Sequence, residues 1–463
     1  MTEQLKLKLN DSKATRWGAL VIVAFTMMAA YYVNDVVAPL KTMLETDLAW
    51  SSTDFGFFTG GYSFLNVFFL MLIWGGLILD RFGIRFTGKL ATILMVGGTA
   101  LEYYAMTRLA GTDATLFGIN EIFGYKTGVF VAFAGYSIFG VGAEVAGITV
   151  SKIIAKWFKG KELATAMGVQ VALARIGSQA GYAVAIPLAR AFGISTPVLL
   201  GSVLLLGGMI AFLVFTVMAK KLDKQMEAAA IAAGTEDEEE KFSFKDVKNI
   251  LVNPGFWLIA LLCVLFYSCV FPFQKFASEL MIIKYGINEN VAGTFAGLPA
   301  LGALILTPVF GGFIDKRGKS ASIMLLGSAM LICVHFIYAI PDINYWLVAI
   351  VLMIILGIAF SLVPSAMWPA VAKIFPVSQL GTAYALIFFI QNIGLWGIPT
   401  LIGWVLDAYC ISGKKPDGTN MYDYTVPMCI FTGIACLSLV VALLLKKADR
   451  KYGYKLEEPN IQK

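Results

Sequence analysis

The chain has 463 residues, 58% of them hydrophobic and only 14% charged, with a formal net charge of +6 and a mean hydropathy of +0.76. An average soluble domain carries about 25% charged residues, so a soluble globular fold is excluded, and the modest positive charge calls for no nucleic-acid partner. At about 20 apolar residues per span of the bilayer core, the length holds a dozen spans and leaves little for a soluble domain.

Residues 1–16 are polar, mixed in charge, and lack the apolar centre of a cleavable signal. Apolar runs of spanning length then predict helices at 17–40, 55–79, 89–109, 128–152, 163–188 and 196–218, a first bundle over 17–218. Residues 219–251 are charged, contain the acidic run Glu236, Asp237, Glu238, Glu239 and Glu240, and read as a cytoplasmic linker, part helical and part disordered. Further helices are predicted at 255–277, 290–314, 320–340, 345–372, 381–406 and 425–445, a second bundle over 252–445, with a tail at 446–463. The expected fold is therefore all-α, with twelve transmembrane helices in two pseudo-symmetric six-helix bundles.

The six cysteines are scattered, and only Cys410 falls in a loop. None has metal-ligand or disulfide-framework spacing, and no metal or cofactor is expected. Lysines and arginines crowd one side of the spans, at Arg81, Arg85, Lys152, Lys156, Lys316 and Arg317, and are sparse on the other. That bias places both termini and the linker in the cytoplasm.

The two sets of helices repeat each other. Gly76, Asp80, Arg81 and Gly83 at the end of the second helix recur at the same spacing as Gly311, Asp315, Lys316 and Gly318 at the end of the eighth. Lys156, Trp157, Phe158 and Leu163 likewise match Lys373, Ile374, Phe375 and Leu380 at a smaller offset, and the long loop 111–127, facing only 341–344, accounts for the difference. An aspartate at the C-terminal end of a helix opposes that helix's dipole, so Asp80 and Asp315 each need a base or a neighbouring helix start. These residues, with Arg85, resemble the loop motif of the major facilitator superfamily, and the six-plus-six arrangement covers the whole chain. The resemblance implies alternating access about a midplane site. It also implies that Asp80 contacts the start of helix eleven and locks an outward-open state.

Arg175 lies near the middle of the predicted fifth helix, where facing lipid costs about 2.5 to 3.5 kcal/mol. It is expected to face a cavity or a partner, and Glu144 in helix four is the best candidate. The two form either a permanent pair holding helices together or a functional pair that binds opposite ends of a substrate or exchanges a proton. Through the repeat they correspond to Ser361 and Asn392, polar but uncharged, so the site is expected to be asymmetric. Asp35, behind Tyr31 and Tyr32, is a candidate cavity or proton site or else a solvated helix-end residue, and Lys275 either binds a carboxylate or snorkels to the surface. Tyr62, Tyr267 and Asn392 complete the expected substrate-binding set. Glu102 reads as an outer-leaflet or packing residue, and His335, the only histidine, as a packing residue ahead of a proton relay. Gly56 with Gly60, and Gly177 with Gly181, have the spacing of close helix contacts that loosen and reform as two halves rock.

The run from Trp157 to Leu163 into Ala174, Arg175, Ile176, Gly177 and Ser178 resembles the lysosomal dipeptide-transporter branch of that superfamily. So do Tyr62, Ser63 and Asn66 before Asp80, and the stretch Phe266, Tyr267 to Phe271, Pro272 and Phe273. The resemblance implies that Glu144 and Arg175 handle the amino and carboxylate ends of a peptide in facilitated transport. The alternatives are proton-coupled symport of a small organic anion and a non-transporting receptor; a membrane enzyme lacks any metal cluster, nucleophile elbow or phosphate loop in the sequence. Expected partners are a small-molecule substrate, the lipid bilayer and, in the symport alternative, protons; the sequence names no accessory subunit. With no acidic dileucine sorting signal near the N-terminus, a bacterial-type cytoplasmic (plasma) membrane is the expected location.

Overall fold

The computed structural model describes residues 8–111, 114–158, 161–233 and 244–459. With no water to pair backbone groups in a bilayer core, the apolar runs satisfy themselves as helices. Helix α1 (Lys13–Val36) is capped by the Ser12 hydroxyl and passes through a short turn into α2 (Lys41–Leu48). Helix α3 (Ser52–Phe68) opens in a reciprocal Ser51–Asp54 capping box, and α4 (Met71–Arg108) follows. The hairpin β1 (Glu121–Ile122) and β2 (Tyr125–Lys126) leads to α5 (Thr127–Phe158), α6 (Leu163–Phe192) and α7 (Thr196–Ala233). Helix α8 (Phe244–Val252) lies in the linker and precedes α9 (Pro254–Tyr285), α10 (Glu289–Ala296) and α11 (Leu298–Arg317). Next come α12 (Ser320–Ala339), α13 (Trp346–Ile374) and α14 (Val377–Tyr409), then the hairpin β3 (Ile411–Lys414) and β4 (Asn420–Tyr422), and finally α15 (Thr425–Tyr452).

Among the described residues nine helical segments are long and apolar enough to cross a membrane, or ten if the bent α3–α4 pair is one span. The chain is an all-α multi-spanning membrane protein.

Two departures from expectation have local causes. The loop expected between the second and third helices shrinks to one residue, because only Gly83 (φ 73°) leaves helical geometry inside α4; Thr87 rejoins the helix and donates to the Gly83 carbonyl. The second helix is instead broken earlier, at Leu70 (φ 54°), where α3 and α4 meet at 58° with neither glycine nor proline to mark the place. Helix α7 runs past its expected end, through lysines, Met226 and alanines that are strong helix formers. The acidic run from Glu236 to Glu240 lies outside the described residues.

Helix α5 packs on α4, α3 and α1, and α1 packs on α6 and α7. Beyond the linker, α12 packs on α15 and α13, α11 on α13, and α9 on α14 and α15. Contacts between the two halves run through α3 with α14 and through α6 with α10 and α11. There, Gly56 and Gly60 of α3 have no room for a Cβ against Pro399, Trp396 and Gly403 of α14. Gly177 and Gly181 are different: they seat α6 on the α1 backbone at Met28 and Tyr32, inside the first half. Only the first glycine pair lies where two halves would move, so the expectation for the second is corrected.

Candidate functional site

A cavity of about 1330 Å³ lies between the halves, walled by α1, α3, α4, α5 and α6 on one side and by α9, α11, α13 and α14 on the other. It extends to Asp80, Ser151, Val247 and Gly381, at the end of the helices that carries the linker. By the charge rule this is the cytoplasmic end.

Glycines set the charged groups in this cavity. Gly140 on α5 leaves no space for a Cβ against the Tyr62 carbonyl of α3. That close approach brings the Tyr62 hydroxyl to donate to Glu144 Oε1 at 3.0 Å. On α6, Gly177 against the Met28 backbone of α1 holds Arg175 beside Tyr31. The guanidinium lies 5.5 Å from the Tyr31 ring centre and 4.9 Å from that of Phe360 on α13, within cation–π range. Glu144 and Arg175 both line the cavity but do not pair with each other, and Arg175 pairs with no carboxylate among the described residues. The expected ion pair is replaced by two opposite charges facing one space. Tyr267 of α9 also lines it, stacked on Phe271 at 5.5 Å and edge-on to Phe360 at 6.3 Å.

Other candidates are placed differently. Lys275 Nζ lies 3.3 Å from Asp35 Oδ1 and donates to the Asn34 carbonyl at 2.5 Å, so these two answer each other across the halves. Asn392 is buried and donates to the Phe388 carbonyl of its own helix; Ser361 is likewise buried and bonds the Gly357 carbonyl. It is Gln391, one position earlier, that reaches the cavity wall. His335 packs between the rings of Phe273 and Phe431, and Glu102 is fully buried with both carboxyl oxygens unpartnered.

In the first loop motif, Asp80 pairs with Lys152 of α5 at 3.1 Å and borders the cavity rather than meeting the start of α14. Arg85 pairs with Asp223 of α7 at 3.1 Å, and Arg81 lies over the Phe82 ring. A Cβ on Gly76 or Gly311 would meet nothing within 4 Å. In the second motif, Lys316 and Arg317 lie in the last turn of α11, and Gly318 (φ 71°) ends it.

Sequence reasoning misses the group that closes the opposite, outer end. Lys41 of α2 is buried and pairs at 2.5 Å with both Glu45 and, across the halves, Glu279 of α9. Lys415, in the turn of the β3–β4 hairpin, lies 3.6 and 3.7 Å from the same two carboxylates, and the Tyr424 hydroxyl donates to Glu279. Beside them, Asp407 of α14 accepts the Ser52 and Thr53 amides at the start of α3, at 3.3 and 2.6 Å, an anion on a positive helix end. Arg190 of α6 reaches Glu289 and Asn290 of α10. The signal for Lys41 is its charge on the lysine-poor side; nothing in the spacing points to Glu279.

The Major Facilitator Superfamily description matches residues 20–399 and again 272–458. The human lysosomal dipeptide transporter MFSD1 is 29% identical over 454 residues, covering 95% of this chain and 88% of that protein. The chicken protein of the same name is 33% identical over 59% of this chain and 62% of its own length. Among solved structures, a mutant of the nucleoside transporter NupG superposes with a TM-score of 0.70 at 12% identity over 92% of this chain and 98% of its own. The peptide transporter POT in complex with sulfate superposes with a TM-score of 0.66 at 14% identity over 95% of each chain. These vertebrate relatives, named for the lysosome, overturn the expected bacterial-type plasma membrane. The missing acidic dileucine is a poor guide to the membrane, and the lysine and arginine bias orients a chain across a membrane without saying which one it is.

Proposed function

The chain belongs to the Major Facilitator Superfamily, and from that premise we propose that it is a facilitator of dipeptides or similar small zwitterions. The observation that carries the reading is the pair of opposite charges held apart in one cavity. Glu144 has one oxygen on Tyr62 and the other open to an ammonium, and Arg175 offers its planar fork to a carboxylate. Tyr62 and Tyr267 supply wall and hydroxyl groups for the peptide unit, and Gln391 takes the part expected of Asn392. The name of the human relative supports the same substrate class.

The span count follows from the same reading. Added to the nine apolar segments are α6, whose Gln170, Arg175, Gln179 and Arg190 lower its hydropathy, and the two spans that Gly83 separates within the α3–α4 pair. That makes twelve, six over 17–218 and six over 252–445, joined by the linker 219–251. Glycines at the cytoplasmic end argue for alternating access: at the outer end Gly56, Gly60 and Gly403 are jammed against the opposite half, while a Cβ on Gly76 or Gly381, which border the open cavity, would meet nothing within 4 Å. Their missing side chains matter when that end closes. Gly381→Val is therefore expected to fold with an unchanged thermal midpoint and to lose transport, and a variant that transports normally contradicts the closure.

Uptake of a dipeptide into proteoliposomes, with and without a pH gradient, tests the function. Flux indifferent to the gradient supports facilitation, and flux that requires it overturns facilitation in favour of proton-coupled symport. Glu102 is the observation that favours this second reading, since a buried carboxyl with no partner is a place to hold a proton. Under facilitation, Glu102→Gln transports like the wild type at every pH; under symport it loses its gradient dependence.

A further inference from the structure

Past α15, Gly453 and Lys455 adopt left-handed backbone (φ 68° and 61°) and turn the chain back over the cytoplasmic end of the second half. Leu456 is fully buried there, and its amide donates to Asp449 Oδ1 of α15 at 2.9 Å. The Glu457 carboxylate accepts from the Ser322 amide and hydroxyl, both at 2.8 Å. The carbonyls of Glu457 and Leu456 accept from the amides of Lys319 and Ser320 at 3.1 and 2.9 Å. Orphan donors at the start of α12 are thus satisfied by the tail, with an acid on the positive helix end. Lys373, near the end of α13, donates to the carbonyls of Lys455 and Glu458 at 3.1 and 2.6 Å. The Tyr454 hydroxyl donates to Asn253 Oδ1, the N-cap of α9, at 3.1 Å. Gly318 could not carry a Cβ, because the Glu457 and Glu458 backbone lies against it.

The first half ties its cytoplasmic end differently. Asp223, on the extension of α7, pairs with Lys156 at 2.9 Å and Arg85 at 3.1 Å. Lys156 corresponds to Lys373 through the internal repeat, and Gly83 to Gly318. In the second half Asp449 of α15 holds the tail, and the tail holds the rest.

We propose that residues 454–458 are a built-in clamp, with Glu457 a positioning residue for transport. By joining α9, the α11–α12 turn, α13 and α15, the clamp makes the second half rock as one body. The proposal rests on the transport reading only for its consequence, because the clamp itself is read without substrate.

The test uses the full chain in nanodiscs as wild type, Glu457→Ala, Glu457→Gln, and a chain ending at Gly453. Hydrogen exchange at residues 319–322 is expected to quicken roughly tenfold or more in Glu457→Ala and in the shortened chain, and to stay near wild type in Glu457→Gln, whose amide oxygen still accepts from the Ser322 amide. Spin labels at Val252→Cys and Lys319→Cys, both exposed, are expected to show a broadened distance distribution in the same two variants. In proteoliposomes their maximal flux of alanyl-alanine falls while KM holds within about twofold, and Glu457→Gln restores it. Unchanged exchange and distances in Glu457→Ala and the shortened chain overturn the clamp, and quickened exchange with wild-type flux overturns the positioning role. A wild-type protein that carries no alanyl-alanine counts against the dipeptide reading, and the exchange and distance arms still decide the clamp.

Discussion

Glu279→Gln is expected to tip the protein out of the conformation described here and toward one open at its outer end. Lys41 is buried at the junction of the halves with Glu45 on its own helix and Glu279 on the other half. Removing one member of a buried ion pair costs about 3 to 5 kcal/mol, and here it leaves Lys41 and Lys415 facing Glu45 alone, with one buried positive charge uncompensated. A two-state equilibrium needs about 5.5 kcal/mol to pass from 1:99 to 99:1, so the loss is large enough to bring the states near balance or invert them. Relief is available, since opening returns Lys41 to water. Spin labels at Asp47→Cys and Met421→Cys, exposed positions on opposite sides of the junction, read the change as a longer distance. The double variant Lys41→Met/Glu279→Gln leaves Glu45 with Lys415 and is expected to return toward the wild-type distance. A Glu279→Gln protein with the wild-type distance contradicts the latch.

At the centre of the cavity, Arg175→Ala is expected to abolish measurable dipeptide transport, and Arg175→Lys to lose roughly tenfold or more in apparent affinity. Truncating one partner of a buried, hydrogen-bonded charge pair costs about 2 to 5 kcal/mol. Lysine keeps the charge but loses the planar fork and the ring contacts with Tyr31 and Phe360. Glu144→Gln retains a hydrogen-bond acceptor for Tyr62 and drops only the charge, so it is expected to weaken dipeptide binding by roughly 10- to 150-fold, the range for hydrogen bonds to charged groups. Its thermal midpoint without substrate is expected to hold or rise, because no cation is left unpaired by the change. A Glu144→Gln variant that transports normally contradicts the role assigned to that carboxylate.

Much of the frame is legible because hydropathy repeats over long stretches. Helix positions, the linker and the paired glycine-aspartate motifs all depend on runs of residues, and intramembrane charge at Glu144 and Arg175 stands out against an apolar background. What the sequence hides depends on rotation and on distant partners. Asn392 and Gln391 differ by one position, yet one residue turns a helix by about 100°, which decides wall against interior. Glu279 lies 238 positions from Lys41, in an outer helix end where a single acid is unremarkable. The tail reads in sequence as a charged cytoplasmic segment, and only the fold shows Leu456 and Glu457 folded under the second half. The break at Leu70 carries no glycine or proline, so no local rule marks it.

The most direct measurement is titration of the nanodisc-bound protein with alanyl-alanine, its N-acetyl derivative and its C-terminal amide, alongside Glu144→Gln. If two opposite charges in one cavity read the two ends of a zwitterion, the unmodified dipeptide binds the wild type and each blocked form binds at least roughly tenfold more weakly. In Glu144→Gln the penalty for acetylation disappears while that for amidation remains. Equal affinity of the wild type for all three ligands would contradict the account.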